Sequence, residues 1–166
     1  MFINMKTSKA IKKIASLCVL KNNNKFLLLK RFNEPNKDRY VPVGGKIQAF
    51  ESPYDCAIRE TFEETGIKIE KPEFYGIITE TSPTEYNWIS YVYSREIDLI
   101  NEPKSNEGIL EWVDYKNISE LPTPKTDDII YKYILEKKKF IISVEYNDKI
   151  EIISMKEELE NKKLFC

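Results

Sequence analysis

The sequence predicts an α+β fold in a single domain, and three observations carry that expectation. Residues 10–20 and 26–30 are short apolar runs rich in Ile, Val and Leu, as strands are. Between them and later alternating runs lies a segment, Ser52 to Gly66, with helix start and stop signals at its two ends. No internal repeat or low-complexity linker divides the 166 residues, a length that one core can serve without staples.

Taken in order, AIKKIASLCVL (10–20) and FLLLK (26–30) read as two strands joined by a turn through Asn22, Asn23 and Asn24. After a loop holding Pro35, Tyr40–Val43 is a short strand that ends at the pair Gly44–Gly45. The helix that follows has Ser52 as N-cap and Pro53 at its first position. Asp55 falls in the first turn, where the helix dipole favours an anion, and Gly66 closes the helix in a left-handed cap. Phe74–Glu80 and Trp88–Ile97 read as strands about a polar loop with Pro83, and Leu110–Val113 as another short strand. Asp127–Lys137 reads as a second helix with Ile130, Tyr131 and Ile134 inward. Phe140–Tyr146 and Ile150–Ile153 alternate around Asn147–Asp148 and predict a hairpin. The core then runs from about 12 to 153, and 154–166 is a polar tail, helical or frayed.

Composition excludes several chemistries. The chain has no histidine, so Ser-His-Asp and Cys-His mechanisms and imidazole metal sites are ruled out. A general base must be a carboxylate, Lys, Tyr, Cys or metal-activated water, and oxygen ligands favour hard ions such as Mg²⁺ or Mn²⁺. Cys18, Cys56 and Cys166 stand far apart with no C-x-x-C pair, which excludes a zinc ribbon or thioredoxin-like motif. Free thiols fit a reducing cytosol, and Cys18, inside the run Ile14–Leu20, reads as a small core residue. The 26 basic residues nearly cancel the 27 acidic ones, and no helix-turn-helix with a basic second helix is visible, so no long nucleic acid is expected as a partner. No apolar stretch nears bilayer length and Met1–Lys13 lacks a signal-peptide core, so no membrane partner and a cytoplasmic location are expected.

On a helical wheel, Glu60, Glu63 and Glu64 share one face, while Ile58 and Phe62 lie roughly opposite, suited to packing on a sheet. Like charges at these spacings destabilise a bare helix by a few tenths of a kcal/mol per pair. A solvated acidic face is one reading; a bound divalent cation is the other. The flanks favour the cation. Gly45, Glu51, Arg59 and Gly66 complete the pattern G-x5-E-x7-R-E-x-x-E-E-x-G, followed by Ile67.

That pattern resembles the signature box of the Nudix hydrolases, which cleave nucleoside diphosphates linked to some other group. Thr61 departs from the more usual aliphatic residue, and Phe50 from the small residue common before the first glutamate. The resemblance implies an α/β/α sandwich with a mixed central sheet and a loop–helix–loop metal site. It implies Glu60, Glu63 and Glu64 as ligands of Mg²⁺, or of Mn²⁺, with the Gly44 carbonyl joining from the loop. Arg59 would orient Glu60, with Glu51 in support, and Lys46 would contact substrate. In MutT-like members a further glutamate reaches the metals, and Glu107, five residues before Trp112, stands in that place. Glu107 also reads as a plain exposed loop acid. By charge, divalent metals neutralise phosphate oxygens and lower the pKa of a bound water, and Glu60 and Glu64 are both candidates to take its proton.

The likeness extends over about 12–153 to the oxidised-purine nucleoside triphosphatases, through EKKKF (136–140) and NEGILEWV. It implies that the acidic pair Asp127–Asp128 hydrogen-bonds the base edge, whereas the residues alone suggest that Asp127 caps its helix. Lys125 replaces a stacking tryptophan and Val41 a base-reading asparagine, so Tyr40, Tyr86 and Trp88 become the candidate stacking surfaces. The implied activity is hydrolysis of a nucleoside triphosphate such as 8-oxo-dGTP to a monophosphate and pyrophosphate. ADP-ribose, another dinucleotide, the triphosphate end of RNA, or a non-catalytic nucleotide sensor are the alternatives. Oligomeric state stays open, a homodimer included.

Overall fold

Buried side chains alternate between two faces in β1 (Lys13–Asn22) and β2 (Lys25–Arg31), antiparallel neighbours with Leu20 opposite Leu27. Cys18, Leu20, Leu27 and Leu29 point to one face, and Val19, Phe26 and Leu28 to the other. A strand buried on both faces has to lie inside a sheet with a layer on each side. The computed structural model describes residues 11–165 and has that arrangement. Residues 1–10, most of the segment read for a signal peptide, and Cys166 lie outside the described residues.

The remaining elements are β3 (Tyr40–Val41), β4 (Val43–Lys46), α1 (Pro53–Thr65), β5 (Glu73–Thr81), β6 (Trp88–Glu96), β7 (Gly108–Asp114), α2 (Lys125–Leu135), β8 (Phe140–Tyr146), β9 (Ile152–Glu157) and β10 (Lys162–Phe165). The sheet path is β10-β9-β8-β5-β6-β1-β2-β3, with β4 on β1 and β7 on β2. It is mixed: β1–β6 and β5–β8 run parallel and the other pairs antiparallel. Along β1, Ala15–Cys18 pair with β4 and Leu20–Asn22 with β2. That division sets β4 beside α1, with the Gly44 amide donating to Glu64 at 3.0 Å.

α1 covers the face of Cys18 and Leu20, and α2 covers the opposite face. Ile130, Tyr131 and Ile134 of α2 are fully buried, and Tyr131 stacks on Phe26 with ring centroids 4.9 Å apart. Among the described residues no helix is long and apolar enough to cross a membrane.

Two expectations are corrected here. Phe62 does not pack on the sheet; it is 47% exposed, and Lys68 Nζ sits 5.8 Å from its ring. The buried face of α1 is instead Ala57, Thr61, Glu64 and Thr65, with Ile58 only partly covered. Small residues let the helix approach closely, and Thr61 satisfies its hydroxyl by donating to the Ala57 carbonyl at 2.7 Å. The second correction is the C-terminus. Residues 154–165 are neither helical nor frayed: β9 continues to Glu157 and pairs with β10. Met155 is 1% exposed and lies in the α2-side core.

Replacing Met155 by Ala is therefore expected to cost roughly 2–5 kcal/mol of unfolding free energy, read as a lower urea midpoint. An unchanged midpoint would mean that β9 is not part of the core.

Candidate active site

The local chemistry of α1 fixes the site's near wall. The Ser52 hydroxyl accepts from the Asp55 amide at 3.1 Å, and Gly66, at φ 71°, closes the helix with its N–H on the Phe62 carbonyl at 2.7 Å. Between the caps the acidic residues form a row graded from inside to outside. Glu64 is buried, the Glu60 side chain is mostly covered, and the Glu63 side chain is 56% exposed.

Arg59 binds this row to the preceding loop. Its Nε and Nη2 donate to Glu51 at 2.6 and 2.9 Å, and Nη1 donates to Glu60 at 2.6 Å and to Glu63 at 3.0 Å. Nη2 also donates to the Lys46 carbonyl at 3.2 Å. Hydrogen bonds from Arg59 hold the Glu51 carboxyl down to about 2, and the Arg59 pKa is raised in return by the Glu51 hydrogen bond. Glu64 behaves oppositely. Burial pushes its carboxyl up to about 8, with Glu107 and Glu60 adding repulsion, although the Gly44 amide donates to it at 3.0 Å. Glu60 is also raised, first by burial, against the pull of Arg59.

Gly44 is a steric requirement, and Gly45 leaves room for the Glu60 carboxyl. A Cβ on Gly44 would sit 2.3 Å from the Ser16 carbonyl oxygen at a backbone φ of +155°, and one on Gly45 would meet the Glu60 carboxyl at 2.5 Å. β4 therefore continues through both glycines to Lys46 rather than ending at them.

As the side chains stand, no three acidic groups among the described residues are already drawn into an ion cage. The donor chemistry nevertheless fits a hard divalent cation. Glu60, Glu63, Glu64 and Glu107 line one cavity, and their donors are all oxygen, the kind a hard divalent cation takes. Lys46 and Arg31 lie on the same wall, and Arg31 Nη1 is 3.9 Å from Glu107.

The cavity, about 570 Å³, reaches from this row to a second cluster made by Glu80, Tyr86, Trp88, Thr126 and Asp127. Asp127 does not cap α2: Pro124 holds the N-cap position and Asp127 is buried in the first turn. Burial, and next the charge of Glu80, push its carboxyl up to about 8. Asp128 is the correction in this group. It turns to a separate groove with Leu121, Ile129 and Phe165, because successive residues of a helix point about 100° apart. Lys125 lies there too, 4.8 Å from the Phe165 ring. Of the candidate stacking aromatics, Tyr86 and Trp88 line the cavity, while Tyr40 is buried in the core with its hydroxyl donating to Glu111 at 2.9 Å. Sequence reasoning missed Glu80 altogether, since in its strand it looks like an ordinary outward polar residue.

Over residues 11–137 the sequence matches the NUDIX domain family. This chain belongs to the Nudix hydrolase family. It is 32% identical over 124 residues to the uncharacterized Nudix hydrolase YvcI of Bacillus subtilis, covering 72% of this chain and 77% of that one. Its fold resembles the crystal structure of the MutT protein from Bacillus halodurans with a TM-score of 0.76 at 27% identity, over 89% of this chain and 98% of that chain. The Nudix domain of Shewanella oneidensis NrtR, solved with ADP ribose, shares the fold alone: TM-score 0.66 at 16% identity, over 76% of this chain and 88% of the other. The Nudix match stops before β8, so the last three strands of the sheet lie beyond it.

Arg59→Lys is expected to lower kcat/KM about tenfold or more with little change in Tm, because an ammonium cannot reproduce the planar fork. Unchanged activity would remove Arg59 as the organiser of the row. Asp127 also gives a linkage prediction. Its folded pKa, about 8, lies above the unfolded value, so the fold binds the proton more tightly and stability falls as pH rises from about 4 towards 8. Asp127→Asn removes that slope. The variant should gain on the wild type by up to about 1 kcal/mol per pH unit across the window, read by urea unfolding. A pH-independent difference would show that Asp127 is charged in the fold.

Proposed function

We propose that this Nudix hydrolase is a Mg²⁺-dependent nucleoside triphosphate pyrophosphohydrolase acting on a purine such as 8-oxo-dGTP. One observation carries the reading: a single cavity joins the acidic row of α1 to a pocket of buried carboxyls and aromatic rings. Phosphates belong at the first end and a base at the second. Water adds to phosphorus, the bond between the α- and β-phosphates breaks, and monophosphate and pyrophosphate leave. A divalent ion at Glu60, Glu63, Glu64 and Glu107 would neutralise phosphate oxygens and acidify the attacking water. The chain's own groups do the rest. Arg59 orients Glu60 and Glu63, Lys46 and Arg31 face the anionic chain, and Glu60 or Glu64 accepts the proton. At the far end Tyr86 and Trp88 offer faces for stacking, and a protonated Asp127 can donate to a base carbonyl.

ADP-ribose is the second reading, supported by the ADP ribose bound to the Nudix domain of Shewanella NrtR. A panel of nucleotides incubated with Mg²⁺, with products separated by chromatography, decides between them. Monophosphate and pyrophosphate from purine triphosphates are expected; turnover of ADP-ribose with none of the triphosphates would overturn the proposal. In the same assay Glu63→Gln should lower turnover by roughly a hundredfold or more. Its exposed position keeps the stability change within about 0.5 kcal/mol. Wild-type turnover in that variant would take Glu63 out of the site.

A further inference from the structure

The far end of the cavity holds a carboxylate that hydrolysis does not require. Glu80, in β5, is 8% exposed and lines the cavity with Asp127. Its Oε1 accepts two phenolic hydrogen bonds, from Tyr146 at 2.6 Å and from Tyr86 at 3.2 Å. Among the described residues no donor reaches Oε2. Glu80 lines the cavity, so Oε2 is the carboxylate oxygen left for a ligand there. From outside the strand, Lys12 Nζ donates to the Glu80 carbonyl at 2.9 Å and to Thr81 Oγ1 at 2.8 Å, adding a positive charge nearby.

A buried anion is a costly way to tie two tyrosines together, since a neutral amide could accept both hydroxyls without the cost of dehydrating a charge. A charge with one oxygen left free is useful where a ligand brings donors. Burial raises the Glu80 carboxyl, while the two phenols and the nearby ammonium pull it back towards the anion, and its charge in turn raises Asp127. The same space then presents an acceptor from one carboxyl and a donor from the other. The edge of a guanine-type base has the matching order: a carbonyl acceptor beside a ring N–H and an amino group.

We propose that Glu80 determines base specificity, its free Oε2 accepting from the ring N–H and amino group of a guanine-type base while Asp127 faces the neighbouring carbonyl. This rests on the reading of the cavity as a nucleotide site. Calorimetric binding of monophosphates tests it without any hydrolysis: GMP, IMP (no amino group), 1-methyl-GMP (no ring N–H) and UMP, on the wild type, Glu80→Gln and Tyr146→Phe. The wild type should bind GMP most tightly and each altered base about tenfold more weakly. Glu80→Gln should weaken GMP by about tenfold or more and flatten the ranking, whereas Tyr146→Phe should keep it. Equal wild-type affinities, a GMP preference that survives Glu80→Gln, or a uniform loss for all four ligands in both variants would each overturn the assignment. If Glu80→Gln does not fold, the wild-type series decides alone. Base ranking without triphosphate turnover would refute the proposed reaction and leave Glu80 standing. Turnover without base ranking would refute Glu80 only, and no nucleotide binding at all would refute both.

Discussion

Arg59 converts a stretch of like charge into a defined surface. Glu60, Glu63 and Glu64 would repel one another on a bare helix, and Glu51 would be a loose loop acid beside them. One planar guanidinium reaches Glu51, Glu60, Glu63 and the Lys46 carbonyl at once, which fixes both the loop after β4 and the rotamers of the acids. Glu64 lies beyond this fork: it is buried, and the Gly44 amide donates to it at 3.0 Å.

The two ends of the cavity share a physical device but use it differently. Glu64 and Asp127 are both pushed up to about 8, and burial is the first cause in each. At Glu64 the further push comes from the charges of Glu107 and Glu60. At Asp127 it comes from Glu80, whose charge is held by two tyrosines. Under the proposed function, a molecule with phosphates at one end and a hydrogen-bonding ring at the other would meet both.

Much of this was legible wherever the determining contacts are local. The caps of α1, its boundaries, the succession of strands along the chain and the inward side of α2 all depend on residues within a turn or two of one another. The gapped pattern from Gly45 to Gly66 was legible for the same reason: loop and helix are adjacent in the chain and meet through Arg59. Phe62, Asp128 and the C-terminal strands were not. Phe62 lost its expected place because Ala57 and Thr61 allow closer packing than an aromatic ring does. Asp128 lost its place because Asp127, one residue earlier, is the one that α2 turns toward the cavity. Residues 154–165 read as a polar tail because β9 and β10 bury few side chains, and the pairing of β9 with β8 and of β10 with β9 supplies the missing stabilisation.

By itself, then, the sequence determined the acidic row and the loop that supports it, because helix periodicity and capping act between residues close along the chain. The far end of the cavity was decided only by the tertiary structure. Glu80 meets Tyr146 across 66 positions, and it shares the cavity with Asp127, on a helix beyond two further strands. A carboxylate in an alternating strand looks solvent-facing until the sheet is assembled, and only then do parallel β5 and β8 set it beside a tyrosine and against the far wall.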